Sequence, residues 1–241
     1  MTTDEIDFHA VVRSRKTTLT RRRVFGPSVA ATLTAATILT APVVIAPHAL
    51  GVASASADSC PAVQVVFARG TGEAAGVGRV GAAFAQALRS QIAGMTVAVY
   101  AVDYPASREF LRAAGGANDA SSFIQGIAAS CPDTRVILGG YSQGAAVIDI
   151  VTVASQPVLG FDTPLPADVA DHVAAVAVFG NPSNRVRGPL TTLSPLYGEK
   201  TIDLCNEGDP LCSNGNDNSA HSEYVETGMT DRAARFAASR L

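Results

Sequence analysis

A short motif between a strand pattern and a helix pattern limits the folds open to this 241-residue chain. Residues 135–141 (RVILGGY) predict a buried strand, and the alanine-rich residues 143–154 predict a helix. Between them, Gly140-Tyr141-Ser142-Gln143-Gly144 fits G-x-S-x-G, in which flanking glycines permit a sharp turn around a strained serine. We therefore predict that Ser142 is a nucleophile exposed at the tip of a sheet. The alternative is a capping serine in an ordinary strand-to-helix turn.

Apolar runs alternate with helical patterns along the rest of the chain. Strands are predicted at residues 62–68, 96–102, 173–179 and 200–204, in addition to 135–141. Helices are predicted at residues 77–92, from a cap at Asn118-Asp119 to about 130, and at 222–240. Strands that are apolar on both faces and separated by helices indicate a parallel sheet covered on both sides. The predicted fold class is α/β, a three-layer α/β/α sandwich.

The first 57 residues differ in character from the rest. They contain six basic residues, and an apolar run from Val29 to Val52 ends on Ala55-Ser56-Ala57. This order is typical of a secretory signal peptide, so we predict a removed leader at 1–57 and one domain at 58–241. A permanent membrane anchor is the alternative, but two prolines interrupt the run. Arg22-Arg23 leaves twin-arginine export open beside the general route.

The charge of the predicted domain limits its partners. Residues 58–241 contain 12 basic and 18 acidic residues, a formal net charge of −6. This balance argues against nucleic acid or an acidic membrane surface as a partner.

All four cysteines lie in the predicted domain, where an even count in an exported chain indicates two disulfides. Three pairings are possible. Cys205 and Cys212 are separated by six residues around a Gly-Asp-Pro turn, and a local bridge between them would leave Cys60 to pair with Cys131. A metal site is the alternative, but no pair has the short spacing of a zinc site.

A serine nucleophile needs a base and an acid that orients it. Only His172 and His221 remain in 58–241, and in the α/β-hydrolase order of Ser, acid and His, His221 has room for an acid before it. We predict His221 as the base and His172 as a surface residue at a strand start. The acid candidates are Asp203, Glu207, Asp209 and Asp217. We favour Asp209, because a disulfide around its turn would fix the carboxylate, with Glu207 next.

The oxyanion that forms in acyl transfer needs two donors. The backbone N–H of Gln143, directly after the nucleophile, is the first candidate. Arg69-Gly70-Thr71-Gly72-Glu73 follows the first predicted strand, and Thr71 offers an N–H and a hydroxyl group. A phosphate-binding loop is the alternative, but neither glycine-rich phosphate motif is complete here.

These residues resemble the cutinase family, and the leader and composition resemble its actinobacterial members. The resemblance rests on residues 68–73 (ARGTGE), 140–144 (GYSQG) and 205–212 (CNEGDPLC), followed by His221, and covers essentially all of 58–241. It implies a compact α/β-hydrolase fold with a five-stranded sheet and both disulfides paired as above. It also implies a triad of Ser142, Asp209 and His221 with oxyanion donors at Thr71 and Gln143. Many fungal members have serine where this chain has Thr71.

The resemblance further implies a secreted serine esterase that needs no metal or cofactor and cleaves short- to medium-chain fatty-acyl esters. We expect a lipid or polyester substrate, a monomer, no membrane span after cleavage, and an extracellular location that includes the cell wall. A polysaccharide deacetylase and a catalytically silent binding protein are the alternatives. Seven apolar loop residues are candidates for an acyl-binding rim or for packing under loops: Val158, Leu159, Phe161, Leu165, Leu190, Leu193 and Leu211.

Overall fold

The structure is a computed structural model that describes residues 60–241. The predicted leader therefore lies outside the described residues. Five parallel strands form one sheet: β1 Val63–Ala68, β2 Val97–Ala101, β3 Arg135–Tyr141, β4 Val173–Phe179 and β5 Thr201–Leu204. The helices are α1 Gly78–Gln91, α2 Ala113–Ser130, α3 Gln143–Val153, α4 Ser183–Val186, α5 Leu190–Leu193 and α6 Met229–Ala238. Short 3₁₀ turns lie at Phe110–Arg112, Ala167–Asp171, Gly198–Lys200 and Ala220–Ser222.

The strand order β2-β1-β3-β4-β5 places the first and third strands side by side at the centre. The chain leaves β1 in one direction to form β2 and then returns past β1 to form β3. Loops that follow two such neighbouring strands diverge and leave a crevice at the carboxyl edge of the sheet. Ser142 follows β3 and Thr71 follows β1, so both lie at this crevice.

Two apolar cores cover the two faces of the sheet. On one face, Phe67 and Phe179 pack with Phe84 of α1 and the alanines of α6. On the other face, Val66 and Leu138 pack with residues of α2 and α3. Strands β1, β3 and β4 are almost wholly buried because helices cover both sides, whereas the edge strands β2 and β5 are partly exposed. The α/β class, the three layers and the five-stranded parallel sheet are confirmed.

Two predicted helix boundaries are wrong. Helix α2 begins at Ala113, so Asn118 and Asp119 lie inside it. Instead of capping, the Asp119 carboxylate accepts hydrogen bonds from the hydroxyl group of Tyr100 and the backbone N–H of Asp103. The closing helix begins at Met229 rather than at 222, because Gly228 takes a left-handed conformation (φ 73°) that the helix cannot continue through.

The structure contains the two disulfides Cys60–Cys131 and Cys205–Cys212. The first ties the start of β1 to the end of α2, at the edge of the sheet opposite the crevice. The second closes the loop after β5, at the crevice. Among residues 60–241, no helix has both the length and the apolar character to cross a bilayer.

Candidate active site

The turn between β3 and α3 presents Ser142 in a strained backbone conformation (φ 57°, ψ −117°). A Cβ atom at Gly144 would lie 1.9 Å from the carbonyl oxygen of Ala68, and one at Gly140 would lie 2.3 Å from the carbonyl oxygen of Gly144. Neither position therefore accepts a side chain, which explains both glycines of the motif. The side chain of Ser142 stands at the amino end of α3, where the partial positive charge of the helix favours a developing anion.

Three of the predicted residues meet at this turn. Ser142 Oγ lies 2.8 Å from His221 Nε2, and His221 Nδ1 lies 2.8 Å from Asp209 Oδ2. The Asp209 side chain is fully buried and that of His221 is 19 % exposed. With the ring proton on Nδ1, His221 donates to the carboxylate and accepts from the serine hydroxyl group. This arrangement can transfer the serine proton to the imidazole.

The Asp209 carboxylate is fixed by its own loop. Oδ1 accepts from the backbone N–H of Leu211 at 2.8 Å, and the Cys205–Cys212 disulfide closes the loop around it. The backbone carbonyl of Asp209 accepts from the N–H and the hydroxyl group of Ser213. A buried carboxylate with these partners keeps one orientation.

Two tyrosines that sequence reasoning missed support the triad geometry. The Tyr224 hydroxyl group donates to Asp209 Oδ2 at 2.6 Å, and the Tyr141 hydroxyl group donates to the backbone carbonyl of His221 at 2.6 Å. Burial raises the pKa of Tyr141 to about 12 and also raises that of Tyr224, so both hydroxyl groups keep their protons at neutral pH. Tyr141 occupies the variable position of G-x-S-x-G, and Tyr224 follows His221 by three residues, so neither carries a sequence signal of its role.

Side-chain hydrogen bonds of Arg69 and Glu73 hold the loop after β1. The buried Arg69 side chain donates to the backbone carbonyls of Glu73 (3.0 Å) and Tyr104 (2.5 Å). The Glu73 carboxylate in turn accepts from the backbone N–H groups of Gly70 (2.6 Å) and Arg79 (2.8 Å). These bonds fix the backbone on both sides of Thr71.

The two predicted oxyanion donors are neighbours. The Thr71 hydroxyl group donates to Gln143 Oε1 at 3.2 Å, and Gln143 Nε2 donates to the carbonyl of Ser107 at 2.8 Å. Gln143 is fully buried, and its backbone N–H is the first of α3, a position without a partner inside a helix. The Thr71 hydroxyl group therefore lies against the residue that directly follows Ser142.

The other candidates lie elsewhere. His172 precedes β4, and Glu207 and Asp217 are exposed. Asp203 is partly buried in β5, where its carboxylate accepts hydrogen bonds from Asn181 and Asn184. Of the seven apolar loop residues, Val158, Leu159 and Leu193 line an open groove. Phe161 and Leu190 are core residues, Leu165 packs against the core, and Leu211 lies outside the groove.

Comparison with known proteins gives the family. The model of the family described as Cutinase matches residues 59–241. The chain belongs to the cutinase family. It is 55 % identical over 213 residues to phospholipase Culp4 of Mycobacterium tuberculosis, covering 88 % of this chain and 90 % of the relative. It is 51 % identical over 195 residues to carboxylesterase Culp1 of Mycobacterium bovis, covering 78 % of this chain and 85 % of the relative.

A solved structure supports the same relationship. Trichoderma reesei cutinase, in complex with a phosphonate inhibitor, superposes with a TM-score of 0.60 at 30 % identity and covers 74 % of this chain and 75 % of that one. As a member of the cutinase family, the protein is a serine ester hydrolase.

Proposed function

We propose that this protein is an exported esterase that cleaves short- to medium-chain fatty-acyl esters through an acyl-enzyme on Ser142. The observation that carries the proposal is the continuous chain of 2.8 Å contacts from Ser142 through His221 to Asp209. The Asp209 end of that chain is fully buried, and the Ser142 end opens at the crevice.

In the first half of the reaction, His221 Nε2 accepts the proton of Ser142 as Oγ attacks the ester carbonyl carbon. The tetrahedral oxyanion accepts hydrogen bonds from the backbone N–H of Gln143 and from Thr71, whose hydroxyl group rotates away from Gln143 Oε1. Asp209 holds the proton on Nδ1 and stabilises the imidazolium that forms. Protonated His221 then gives its proton to the leaving alcohol.

In the second half, a water molecule takes the place of the alcohol. His221 accepts a proton from this water, the resulting hydroxide attacks the acyl carbon, and Oγ of Ser142 leaves with the proton returned by His221. The same oxyanion donors act again, because the second tetrahedral intermediate has the same charge at the same oxygen.

Three functions can be separated by substrate and probe. An acyl esterase hydrolyses octanoyl esters faster than acetyl esters, whereas a polysaccharide deacetylase prefers acetyl esters. A silent binding protein hydrolyses neither and does not react with a fluorophosphonate probe. The name of the mycobacterial relative Culp4 makes phospholipid esters a further candidate substrate.

The direct test is Ser142→Ala in purified 58–241, assayed with p-nitrophenyl octanoate and with a fluorophosphonate label. We expect kcat to fall by roughly 10⁶, as in other triads, and the label to be lost. Substitution of Ser90, an exposed serine of α1 outside the triad, by alanine is the matched control and should keep the label. Activity that survives Ser142→Ala would disprove the mechanism.

Export is part of the proposal and rests on residues outside those described. Two disulfides within 60–241 are typical of an oxidising compartment. To test the predicted cleavage after Ala57, the full chain is expressed in an actinobacterial host. The amino terminus of the protein found in the medium is then determined. We expect Asp58 as the first residue; retention of the full chain in the membrane would contradict the signal peptide.

A further inference from the structure

The base of the triad lies on a short turn with few backbone bonds of its own. His221 is the middle residue of the 3₁₀ turn Ala220–Ser222, and the next helix begins only at Met229. The carbonyl of Ala220 accepts from the backbone N–H of Glu223 at 3.4 Å. Within residues 60–241, no backbone N–H donates to the carbonyl of His221 or of Ser222. A single turn of this kind restrains the imidazole only weakly.

Side chains from three other segments bond this turn. Asn206 Nδ2 donates to the first of its three carbonyls at 2.8 Å. The Tyr141 hydroxyl group donates to the second, that of His221, at 2.6 Å, and the guanidinium of Arg79 donates to the third. Three consecutive carbonyls around the base are therefore each bonded by a side chain. We call Arg79, Tyr141 and Asn206 the carbonyl clamp.

Two members of the carbonyl clamp belong to the segments that hold the other triad residues. Tyr141 directly precedes Ser142. Asn206 lies in the loop of Asp209, and its backbone carbonyl accepts from the Asp209 N–H at 3.1 Å. These two side chains therefore fix the turn of the base relative to the nucleophile and to the acid.

The third member, Arg79, connects the base to the loop after β1. Its backbone N–H donates to the Glu73 carboxylate at 2.8 Å, and the other oxygen of that carboxylate accepts from the N–H of Gly70 at 2.6 Å. Gly70 directly precedes Thr71, the predicted oxyanion donor. Arg79 thus bonds the turn of the base through its side chain and the oxyanion loop through its backbone.

The members of the clamp differ in burial. Asn206 is buried, and its Oδ1 accepts from the Thr227 hydroxyl group at 2.8 Å. The Arg79 side chain is 48 % exposed and also forms an ion pair with the exposed Glu226 at 2.7 Å. Exposed ion pairs contribute little to stability, so we assign the role of Arg79 to its bond with the backbone carbonyl.

We propose that Arg79, Tyr141 and Asn206 are positioning residues that keep His221 Nε2 at hydrogen-bonding distance from Ser142 Oγ during turnover. None of them contacts the reacting atoms, and each acts through the backbone of the base. Both halves of the reaction pass a proton through His221, and a displacement of about 1 Å in a catalytic group can cost roughly 10²-fold in rate. The inference rests on the proposed esterase function and adds residues outside the triad that set its rate.

The test removes one bond of the clamp at a time in the purified domain 58–241. Tyr141→Phe removes only a hydroxyl group. Arg79→Met removes the guanidinium but keeps the apolar stem and the backbone N–H that bonds Glu73. Asn206→Ala removes the buried amide. Glu226→Gln removes the charge of the ion pair and leaves the bond from Arg79 to the carbonyl in place.

Two matched controls remove the same groups away from the site. Tyr100→Phe removes a hydroxyl group that bonds Asp119. Arg89→Met removes a guanidinium of α1 that donates to the carbonyl of Val97 at 3.3 Å. Thermal unfolding verifies that each variant is folded at the assay temperature.

We expect Tyr141→Phe and Arg79→Met each to lower kcat for p-nitrophenyl octanoate about two- to tenfold, the range that one hydrogen bond contributes. KM should stay unchanged, because the substrate does not contact the clamp. A folded Asn206→Ala should lose at least as much kcat. Glu226→Gln and both controls should match the wild type.

The decisive measurement repeats the two exposed-side substitutions in His221→Ala. A triad without its histidine keeps a residual rate above that of water. Because the clamp acts through His221, Tyr141→Phe and Arg79→Met should leave this residual rate unchanged. An equal fold-loss in both backgrounds would show that they act on the nucleophile or the oxyanion donors, and would overturn the proposal.

An unchanged kcat in Tyr141→Phe or in Arg79→Met would also overturn the proposal, as would a loss of the same size in the controls. Failure of Asn206→Ala to fold does not affect this test, since the other two variants carry it. Failure of the esterase function itself gives a different result, because the wild type would then hydrolyse no ester.

Discussion

The Tyr224 hydroxyl group shares an acceptor with the base of the triad. Asp209 Oδ2 accepts from Tyr224 at 2.6 Å and from His221 Nδ1 at 2.8 Å. Tyr224 is fully buried and also accepts from the backbone N–H of Asn206 at 3.2 Å. A carboxylate that divides its charge between two donors attracts the imidazolium less strongly than one with a single donor. Tyr224 is therefore a positioning residue whose effect passes through Asp209.

We predict that Tyr224→Phe lowers kcat by about tenfold, less than the roughly 10²–10⁴ that a general acid–base group contributes because the base itself is kept, and moves the acidic limb of the pH–rate profile to higher pH. The carboxylate left with one fewer donor holds the protonated histidine more tightly, so the neutral base forms at higher pH. The measurement is kcat/KM for one short ester across pH. Tyr197→Phe, at a buried tyrosine without a bond to the triad, is the control. A lower rate with an unmoved profile would indicate a structural role only.

At the scale of elements, the loop after β5 places the acid. Its position depends on the disulfide Cys205–Cys212, on Gly208 with φ 86°, and on the bond from the Asp217 N–H to the Gly208 carbonyl (3.0 Å). Residues 205–212 belong to neither apolar core, so the covalent bridge and these hydrogen bonds restrain the loop.

We predict that Cys205→Ser with Cys212→Ser lowers kcat at least tenfold and the free energy of unfolding by about 2–3 kcal/mol. The control is Cys60→Ser with Cys131→Ser, at the opposite edge of the sheet. Removal of this second bridge should lower the free energy of unfolding by about 4 kcal/mol, because the bridge closes a longer loop. It should leave kcat of the folded protein unchanged. Urea unfolding and ester hydrolysis at a temperature where both variants are folded measure the two effects. If both double variants lost kcat equally, the Cys205–Cys212 bridge would have no specific role in positioning Asp209.

At the scale of the whole molecule, a buried carboxyl group links three elements. Asp149 of α3 bonds Asn181 after β4, and Asn181 also bonds Asp203 of β5. Burial raises the pKa of Asp149 from 3.8 to about 6, with a smaller contribution from the negative charge of Asp203; the bonds from Ser183 and Asn181 act in the opposite direction. The folded state therefore favours the protonated carboxyl group. Its contribution to stability is complete below pH 3.8 and is lost as the pH rises through about 6.

We predict that Asp149→Asn removes this pH dependence. The free energy of unfolding of the wild type, relative to the variant, should fall by about 2–3 kcal/mol as the pH rises through this window, since one pKa unit corresponds to about 1.4 kcal/mol. Urea unfolding of both proteins across the window measures the difference. Asp168→Asn, at an exposed carboxylate, is the control and should follow the wild type. If the difference in free energy of unfolding between wild type and Asp149→Asn stayed constant across the window, the pH dependence would not come from Asp149.

Local patterns along the chain were enough to predict the layers and much of the candidate site. Apolar periodicity and the glycines around Ser142 are local signals, and a strand-to-helix turn is built from neighbouring residues. Two histidines in the domain and a short cysteine spacing left few choices for a base and an acid. The start of α2 was missed because the side chains of Asn118 and Asp119 bond to distant segments rather than to their own helix.

Which distant residues share a surface depends on how the layers pack, and no local pattern predicts it. The two tyrosines reach the triad from a strand end and from a loop, and the groove forms where α2, α3 and the 154–161 turn meet. Of the apolar loop residues, the structure alone separated Val158 and Leu159, which line the groove, from Phe161, which fills the core. Composition and spacing describe the chain along its length, whereas burial and contact depend on how the layers pack. For this reason, neither the role of the two tyrosines nor the position of the apolar loop residues could be predicted from the sequence.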